Sequence, residues 1–503
     1  MPLSNDHSDF GTTDGQKNSP TFEKANLCGL KNCYGRARIL IFLLTLLSLS
    51  LLYSNQIALN FTVICMDDVV EEQSTMNSTD RHWLKSSSKI SYLFSAIAVG
   101  SMVGLIPMIP CMEKFGIRFT MTTYMFLSAA CTLVMPLSIE IGYFAILIVR
   151  FFVGFAGSIG LSGLGAIAER WSPMAELGTT IAVLSTFHQL APIFTMPMSA
   201  FLCSSSIGWR AIYYLQGGMT LVFGAMFFSF FRNQPGKHAM VSSKELTRIN
   251  SKRVPRRKGN VPYWEICKDI RIVSIWLAIT GGNLAFTVLL FYGPTYMNRV
   301  LGLDVNSTGF ATALPYVLSA FVKFSIGPIS DKTTCCSEKG KLLFFTGFSR
   351  VVLLVSLMTI ALTDSPLLAR IFYTGAIAFM GVNIMGTIKA AQLISRQYVS
   401  FVMAMTTWFA CISQLIIPLI VSWMCPDNTP EQWSRFYILS CVAILITNIP
   451  FFIFGDDKPA PYTLPDWEQR KANKVTPEKL DLSRITVPDI FSNEEKKKIE
   501  EIL

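Results

Sequence analysis

The amino-acid sequence predicts an all-α membrane protein, with twelve transmembrane helices in two pseudo-symmetric six-helix bundles. Three observations lead there. Of 503 residues, 51% are hydrophobic and 15% charged, with 37 Phe and a mean hydropathy of +0.43, a balance that suits lipid rather than water. Twelve segments reach the roughly 20 apolar residues a helix needs to cross the hydrocarbon: 38–64, 88–111, 118–138, 140–168, 178–203, 209–231, 271–297, 308–329, 342–362, 366–394, 399–424 and 434–454. A cation-rich connection, 232–270, divides these spans six and six.

The polar N-tail, 1–37, has no basic-then-apolar start, so no cleavable signal peptide is expected and the first span inserts itself. The first bundle occupies 38–231. The linker 232–270 holds Arg232, Lys237, Lys244, Arg248, Lys252, Arg253, Arg256, Arg257, Lys258 and Lys268, whereas the first loop opens with DDVVEE. By the positive-inside rule both termini and the linker face the cytosol. The net charge of +10 therefore reports topology, and no nucleic-acid partner is expected. The sequons at Asn77 and Asn306 fall on the outer side, where glycans are added, while the NFT at Asn60 lies inside a span. The second bundle occupies 271–455, and 456–503 is a cytosolic tail ending in the charged run SNEEKKKIEEIL.

Corresponding loops of the halves repeat a pattern. MEKFGIR (112–118) follows the second span and GPISDK (327–332) the eighth. Two six-helix bundles with a polar site between them at the midplane form the architecture that alternates access by rocking. Glu113, Arg118 and Asp331 then stand at the cytosolic mouth, as gate residues or as helix caps. Gly154, Gly157, Gly160, Gly163 and Gly165 in the fourth span permit close helix approach, and Pro192 and Pro197 interrupt the fifth. Twelve cysteines contain no CxxC pair and carry no metal signature; Cys65, Cys203 and Cys425, near outer helix ends, could include a disulfide pair.

Several segments together resemble the anion:cation symporter family of the major facilitator superfamily, which includes sodium–phosphate cotransporters, sialic acid transporters and vesicular glutamate and nucleotide carriers. They are PGKHAMVSSKE (235–245), similar to the family's P-x-x-H-x-x-I-S-x-x-E, then GPTYMNRVLG with GFATALPY, ERWSP (169–173), QLAPIFTMPMSA (189–200), SIGWRAIYY (206–214) and FGDDKPAPY (454–462). The resemblance runs from 38 to 462 and implies the major facilitator fold and secondary transport. The departures fall where relatives carry charge. In the first span Gln56 stands at the family's arginine and Ala58 at its asparagine. The fourth keeps Arg150 and Gly154 but has Gly157 at the glutamate and Ser158 at a glycine; in the tenth, Ala391 and Leu393 stand at the histidine and aspartate. This is a divergent member.

The residues themselves point to an anion. Ten residues at 1.5 Å place Arg150 about 15 Å into a roughly 30 Å core, where a cation is costly and normally faces a partner or a cavity. Main-chain carbonyls and a bound anion are the two candidate partners. His188, Lys323, Arg350 and Lys389 are the other intramembrane ionisable groups, all basic. Lys323 and Lys389 read as snorkelling, Arg350 equally as snorkelling or cavity-lining, and His188 as a core residue or a proton acceptor. No Asp or Glu lies well inside a span. The expected substrate is a small organic or inorganic anion, with Arg150 as anchor through its fork of donors and Gln56, Asn283, Tyr53 and His188 as neutral donors around it. No cofactor or metal is expected; Na⁺ or H⁺ is the candidate coupling ion. The protein is expected to be a monomer in the plasma membrane or an intracellular vesicle membrane. An enzyme is excluded by the want of a phosphate loop, a metal-spaced set or a soluble domain. A transport-inactive sensor or scaffold is the alternative.

Overall fold

The computed structural model describes residues 37–66, 68–69, 82–173, 176–251, 261–332, 337–464 and 467, without the side chains of 327–332, 384, 397 and 400. Among them are twelve helices long and apolar enough to cross a membrane. In chain order spans 1 to 6 are Ala37–Thr62, Ser87–Lys114, Gly116–Ile141, Tyr143–Trp171, Leu177–Ser204 and Arg210–Phe230. Spans 7 to 12 are Ile270–Val300, Val305–Lys332, Glu338–Leu362, Pro366–Ser395, Val399–Met424 and Pro430–Phe454. Each lies within four residues of its sequence-predicted bounds. Large apolar side chains such as Phe144, Ile141, Phe310, Phe321 and Trp423 are exposed on the helix bundle, the arrangement that a lipid solvent requires.

Small residues set the closest approaches. Gly100 and Gly104 of span 2 meet the backbone of span 4 at Phe151 and Phe155, and Gly154 of span 4 meets Ile97, so that a Cβ at any of the three would fall on main-chain atoms. Polar side chains inside the first bundle pair locally: Asn55 donates to Ser128 and Thr220, both at 3.0 Å, and Thr62 shares a 2.7 Å hydrogen bond with Tyr213. A disulfide joins Cys65 to Cys203, tying the end of span 1 to the end of span 5; Cys425 is free and buried.

Four spans are not continuous α-helices. Span 4 breaks at Ser158, span 5 at Ser185–Thr186 and span 10 across Gly381–Gly386, while span 7 ends in a π-turn over Tyr296–Val300. Non-α backbone at this depth needs neighbouring groups to satisfy it, and in transporters it marks where ligands bind.

The segments following spans 6 and 12 clasp their own bundles at the same end, which is also where spans 1 and 12 begin and finish. After span 6, the Arg232 carbonyl accepts from Trp171 Nε1, and His238 packs edge-on against that indole at 5.5 Å. Ser242 caps the helix Ser243–Asn250, and its Glu245 accepts from the Arg38 amide at the start of span 1. Glu176 closes the clasp, bonding Arg38 at 2.6 Å and Arg248 at 2.5 Å. After span 12, Ala460 N–H donates to Ile394 O at the end of span 10, and Tyr462 donates to Asp269 at the start of span 7. These clasps give PGKHAMVSSKE and FGDDKPAPY their physical role, and they repeat from one half to the other.

At the opposite end, which carries the connection 63–86, the bundles touch each other. Span 2 lays Ser87, Ser88, Ser91 and Ser95 against spans 11 and 7: Ser87 donates to Cys425 O, Ser88 bonds Ser422 at 2.9 Å, Ser91 bonds Tyr292 at 2.9 Å and Ser95 donates to Leu415 O. Spans 5 and 8 close the other flank, where Ser204 donates to Asn306 at 3.1 Å and Gly309 packs on Ala200. This first-loop end is shut by neutral hydrogen bonds.

Candidate functional site

Arg150 is fully buried in span 4. Its Nη1 donates to Gln56 O of span 1 at 2.8 Å and its Nε to Leu93 O of span 2 at 3.3 Å. Nη2 is buried without a protein partner. Of the two partners open to it from sequence, the main-chain carbonyls hold two of its three nitrogens. The guanidinium thus ties spans 1, 2 and 4 together and keeps one donor spare.

Arg350 is a second clamp. Its Nε donates to Asn448 Oδ1 at 2.9 Å and its Nη2 to Ala278 O at 3.1 Å, linking spans 9, 12 and 7, and Gly282 leaves the room its guanidinium occupies. It is 4% exposed, so the snorkelling alternative is corrected. Lys389 keeps to the helix-end role, paired with Glu338 at 3.1 Å.

Lys323 also departs from the snorkelling expectation. It is 7% exposed, and its Nζ donates across the bundle interface to Ser185 Oγ at 2.8 Å. Ser185 stands at the break of span 5, and the break of span 10 packs on the other flank, where a Cβ at Gly381 would lie 3.2 Å from Ser319 O and 3.5 Å from Lys323 Cβ. No carboxylate pairs with Lys323, Arg150 or Arg350 among the described residues.

Tyr316, Ser319 and Lys323 share one face of span 8, at i, i+3 and i+7. Ser185, His188 and Gln189 face them from span 5, and His188 is within electrostatic reach of Lys323. Tyr53 of span 1 packs edge-on against His188 at 4.7 Å, and Phe187 stacks on the same imidazole at 4.1 Å. Tyr53 Oη, His188 Nδ1, Gln189 Oε1 and Tyr316 Oη are buried without a partner, and so is Asn383 Oδ1 in the break of span 10. Buried polar groups are normally hydrogen-bonded, so a cluster of unmet ones around a lone cation is the signature of a site that a polar ligand or water completes.

Of the residues singled out from sequence, Tyr53 and His188 come together in this cluster. Gln56 lies next to it on span 1, its amide occupying the space that a side chain at position 157 would take. Gln56 and Gly157 are thus sterically coupled: the glutamine fills the space that a side chain at 157 would need. Asn283 is half-buried in the middle of span 7. Lys323, Ser185, Gln189 and Tyr316 were not expected in the site; the signal available was the i, i+3, i+7 polar face on span 8 for Tyr316 and Lys323, and the i, i+3, i+4 spacing of Ser185, His188 and Gln189 on span 5.

At the tail end, Glu113 is exposed. Arg118 is held in its own bundle, donating to Phe228 O at 2.6 Å with its guanidinium 4.2 Å above the Phe228 ring, while its amide donates to Asn233. Gly116, at φ +84°, makes the turn that brings Asn233 there. Asp331 lies outside the described side chains and Asn77 outside the described residues. Asn306 is exposed at the start of span 8.

Residues 46–394 match the family model of the Major Facilitator Superfamily. Among curated proteins the chain is 24% identical to the uncharacterized transporter slc-17.3 of Caenorhabditis elegans, over 80% of this chain and 76% of that one. It is 22% identical to human sialin, over 78% and 80%, and 22% identical to mouse sodium-dependent phosphate transport protein 1, over 80% and 90%. The fold matches a D-xylose–proton symporter (TM-score 0.64, 14% identity, 83% of this chain and 98% of that one). It also matches a bacterial homolog of the lysosomal transporter Spinster in an inward-facing conformation (TM-score 0.60, 13% identity, 84% and 97%).

Proposed function

The chain belongs to the major facilitator superfamily, and on that premise we propose that it is a secondary transporter of a small organic or inorganic anion, moved by alternating access of the two bundles. The observation that carries this reading is Lys323: a buried cation at the bundle interface, held by one hydroxyl of the opposite bundle, with unmet polar groups on the neighbouring spans and no carboxylate paired with it among the described residues. Such a charge is costly until an anion joins it, and the interface is where a ligand is shared by both bundles. Lys323 is the anchor in this reading. Tyr53, His188, Gln56 and Asn283 supply neutral contacts, and Arg150 positions span 1 through its bond to Gln56 O.

Relatedness to sialin and to a sodium-dependent phosphate transport protein supports an anionic substrate. In this reading the tail end faces the cytosol, Glu113 and Asp331 border its mouth while Arg118 braces span 6, and Asn77 and Asn306 carry glycans on the other side. The protein works as a monomer in the plasma membrane or a vesicle membrane. His188 is the candidate proton acceptor, and a Na⁺ or H⁺ gradient drives uptake.

The test is uptake by proteoliposomes of labelled phosphate, sulfate, and mono- and dicarboxylates, with imposed Na⁺, pH and voltage gradients. Saturable uptake of one anion, lost in Lys323→Gln, is the expected result. Uptake of none of them by well-folded protein would favour the transport-inactive sensor or scaffold.

A further inference from the structure

A cavity lies at the first-loop end, beside the serine contacts that shut the two bundles. It encloses about 180 Å³ and takes its walls from both halves: Lys85 and Ser87 from the entry to span 2, Tyr292, Thr295 and Arg299 from the end of span 7, and Asp427 from the turn before span 12. Two cations thus approach one small volume from opposite bundles. Among the described residues one acid lines it, Asp427, whose Oδ2 accepts from the neutral Gln432 Nε2 at 3.2 Å, so the lining sets two positive charges against one negative. Arg299 lies on the π-turn, whose wider turn takes its residues off the α-helical register.

Like charges brought together across an interface oppose its closure, and a small anion between them reverses the sign of that term. We propose that this vestibule binds a small oxyanion, whether carboxylate, sulfate or phosphate, which bridges Lys85 of the first bundle and Arg299 of the second. The bound anion holds the first-loop end shut. Hydroxyls of Ser87 and Thr295 line the same volume and suit oxyanion recognition. Because the cavity exists only while the bundles touch at this end, its ligand acts on the conformational equilibrium and is not itself carried. The site stands apart from the Lys323 cluster and does not depend on which species crosses.

Inorganic sulfate is the probe, titrated at low millimolar concentration into purified full-length protein in nanodiscs of neutral phosphatidylcholine, so that no lipid phosphate monoester competes. Thermal unfolding should show a saturable rise in Tm. In Lys85→Gln and in Arg299→Gln, both exposed positions where folding is not at stake, the midpoint should move at least 10-fold higher. Lys323→Gln should keep the part of the rise that depends on Lys85 and Arg299, whatever sulfate its own cluster binds. No saturable rise in the wild type, an unchanged midpoint in both vestibule variants, or a response lost in Lys323→Gln would each overturn the proposal. Cys425, buried on the seam where Ser87 binds its carbonyl, reports bridging. Sulfate should slow its alkylation by an impermeant maleimide at least 5-fold in the wild type and leave the two vestibule variants unaffected. Labelling that ignores sulfate would overturn the bridging.

Discussion

Replacing Lys323 with Met should move affinity and stability in opposite directions. In the structure its ammonium is 7% exposed and has one neutral partner, Ser185 Oγ at 2.8 Å. The desolvation cost of a buried ion is several kcal/mol after relaxation, while a hydrogen bond to a charged group returns about 1.5–3 kcal/mol. Methionine has similar length and none of the desolvation cost, so the variant should gain about 1–3 kcal/mol, a Tm rise of several degrees for a chain of this size. Its cost falls on the ligand. Loss of one charge-assisted contact at about 1.5–3 kcal/mol raises KM or Kd about 10- to 150-fold. The assay pairs thermal unfolding in nanodiscs with uptake of whichever labelled anion the wild type accumulates. A lower Tm together with an unchanged KM would refute the reasoning, because Lys323 would then be a structural pin and not an anchor awaiting its counter-ion.

Arg150→Lys keeps the charge but loses the fork that reaches Gln56 O and Leu93 O together. It should destabilise by about 1–3 kcal/mol and leave KM within about 3-fold, measured by Tm and uptake; a large KM change at constant Tm would return the anchor role to Arg150. Gly157→Ala drives a methyl into the Gln56 amide and should cost about 1–3 kcal/mol, with Tm restored in the double variant Gln56→Ala/Gly157→Ala; no rescue would show that the two positions are not coupled. Glu176 bonds Arg248 and Arg38, and the hydrogen bond from Arg248, ahead of that from Arg38, holds its carboxyl below the usual range. The sign follows from a depressed folded-state value: the contribution is present above the unfolded pKa of about 4.3 and is lost as pH falls through the lower, folded one. Tryptic cleavage in the linker, divided by the rate on an unstructured peptide at the same pH, should therefore be equal at pH 7.5 and 5.5, and faster in Glu176→Gln by an amount matching at most about 1 kcal/mol for so exposed a cluster. Acceleration at pH 5.5 in the wild type would contradict this.

Much of the architecture is legible without coordinates. Twelve apolar runs, the cationic linker and the paired loop motifs are one-dimensional signals, because the bilayer imposes a length and a charge rule on each segment separately. The glycines of span 4 were legible as sites of close approach, though not that Gly100 and Gly104 of span 2 answer Gly154 across the contact. The clasp around PGKHAMVSSKE was visible only as a motif; its meaning lies in Arg38, 207 residues before Glu245, and Glu176, 72 residues before Arg248, which the fold brings to it. Disulfide pairing was open among Cys65, Cys203 and Cys425 until helix ends were brought together.

The candidate site divides the same way. Sequence by itself determined that the intramembrane charges are all basic and how deep each lies, because depth is a residue count multiplied by the helical rise. What a buried cation faces was decided by tertiary structure alone. Arg150 and Lys323 carry the same sign at depth in similar apolar runs, yet the first turns onto carbonyls of its own bundle and the second reaches across to the other. That difference is one of helix rotation and of register between bundles. It is set by the packing of spans 5, 8 and 10 upon one another, and no property of a single helix contains it.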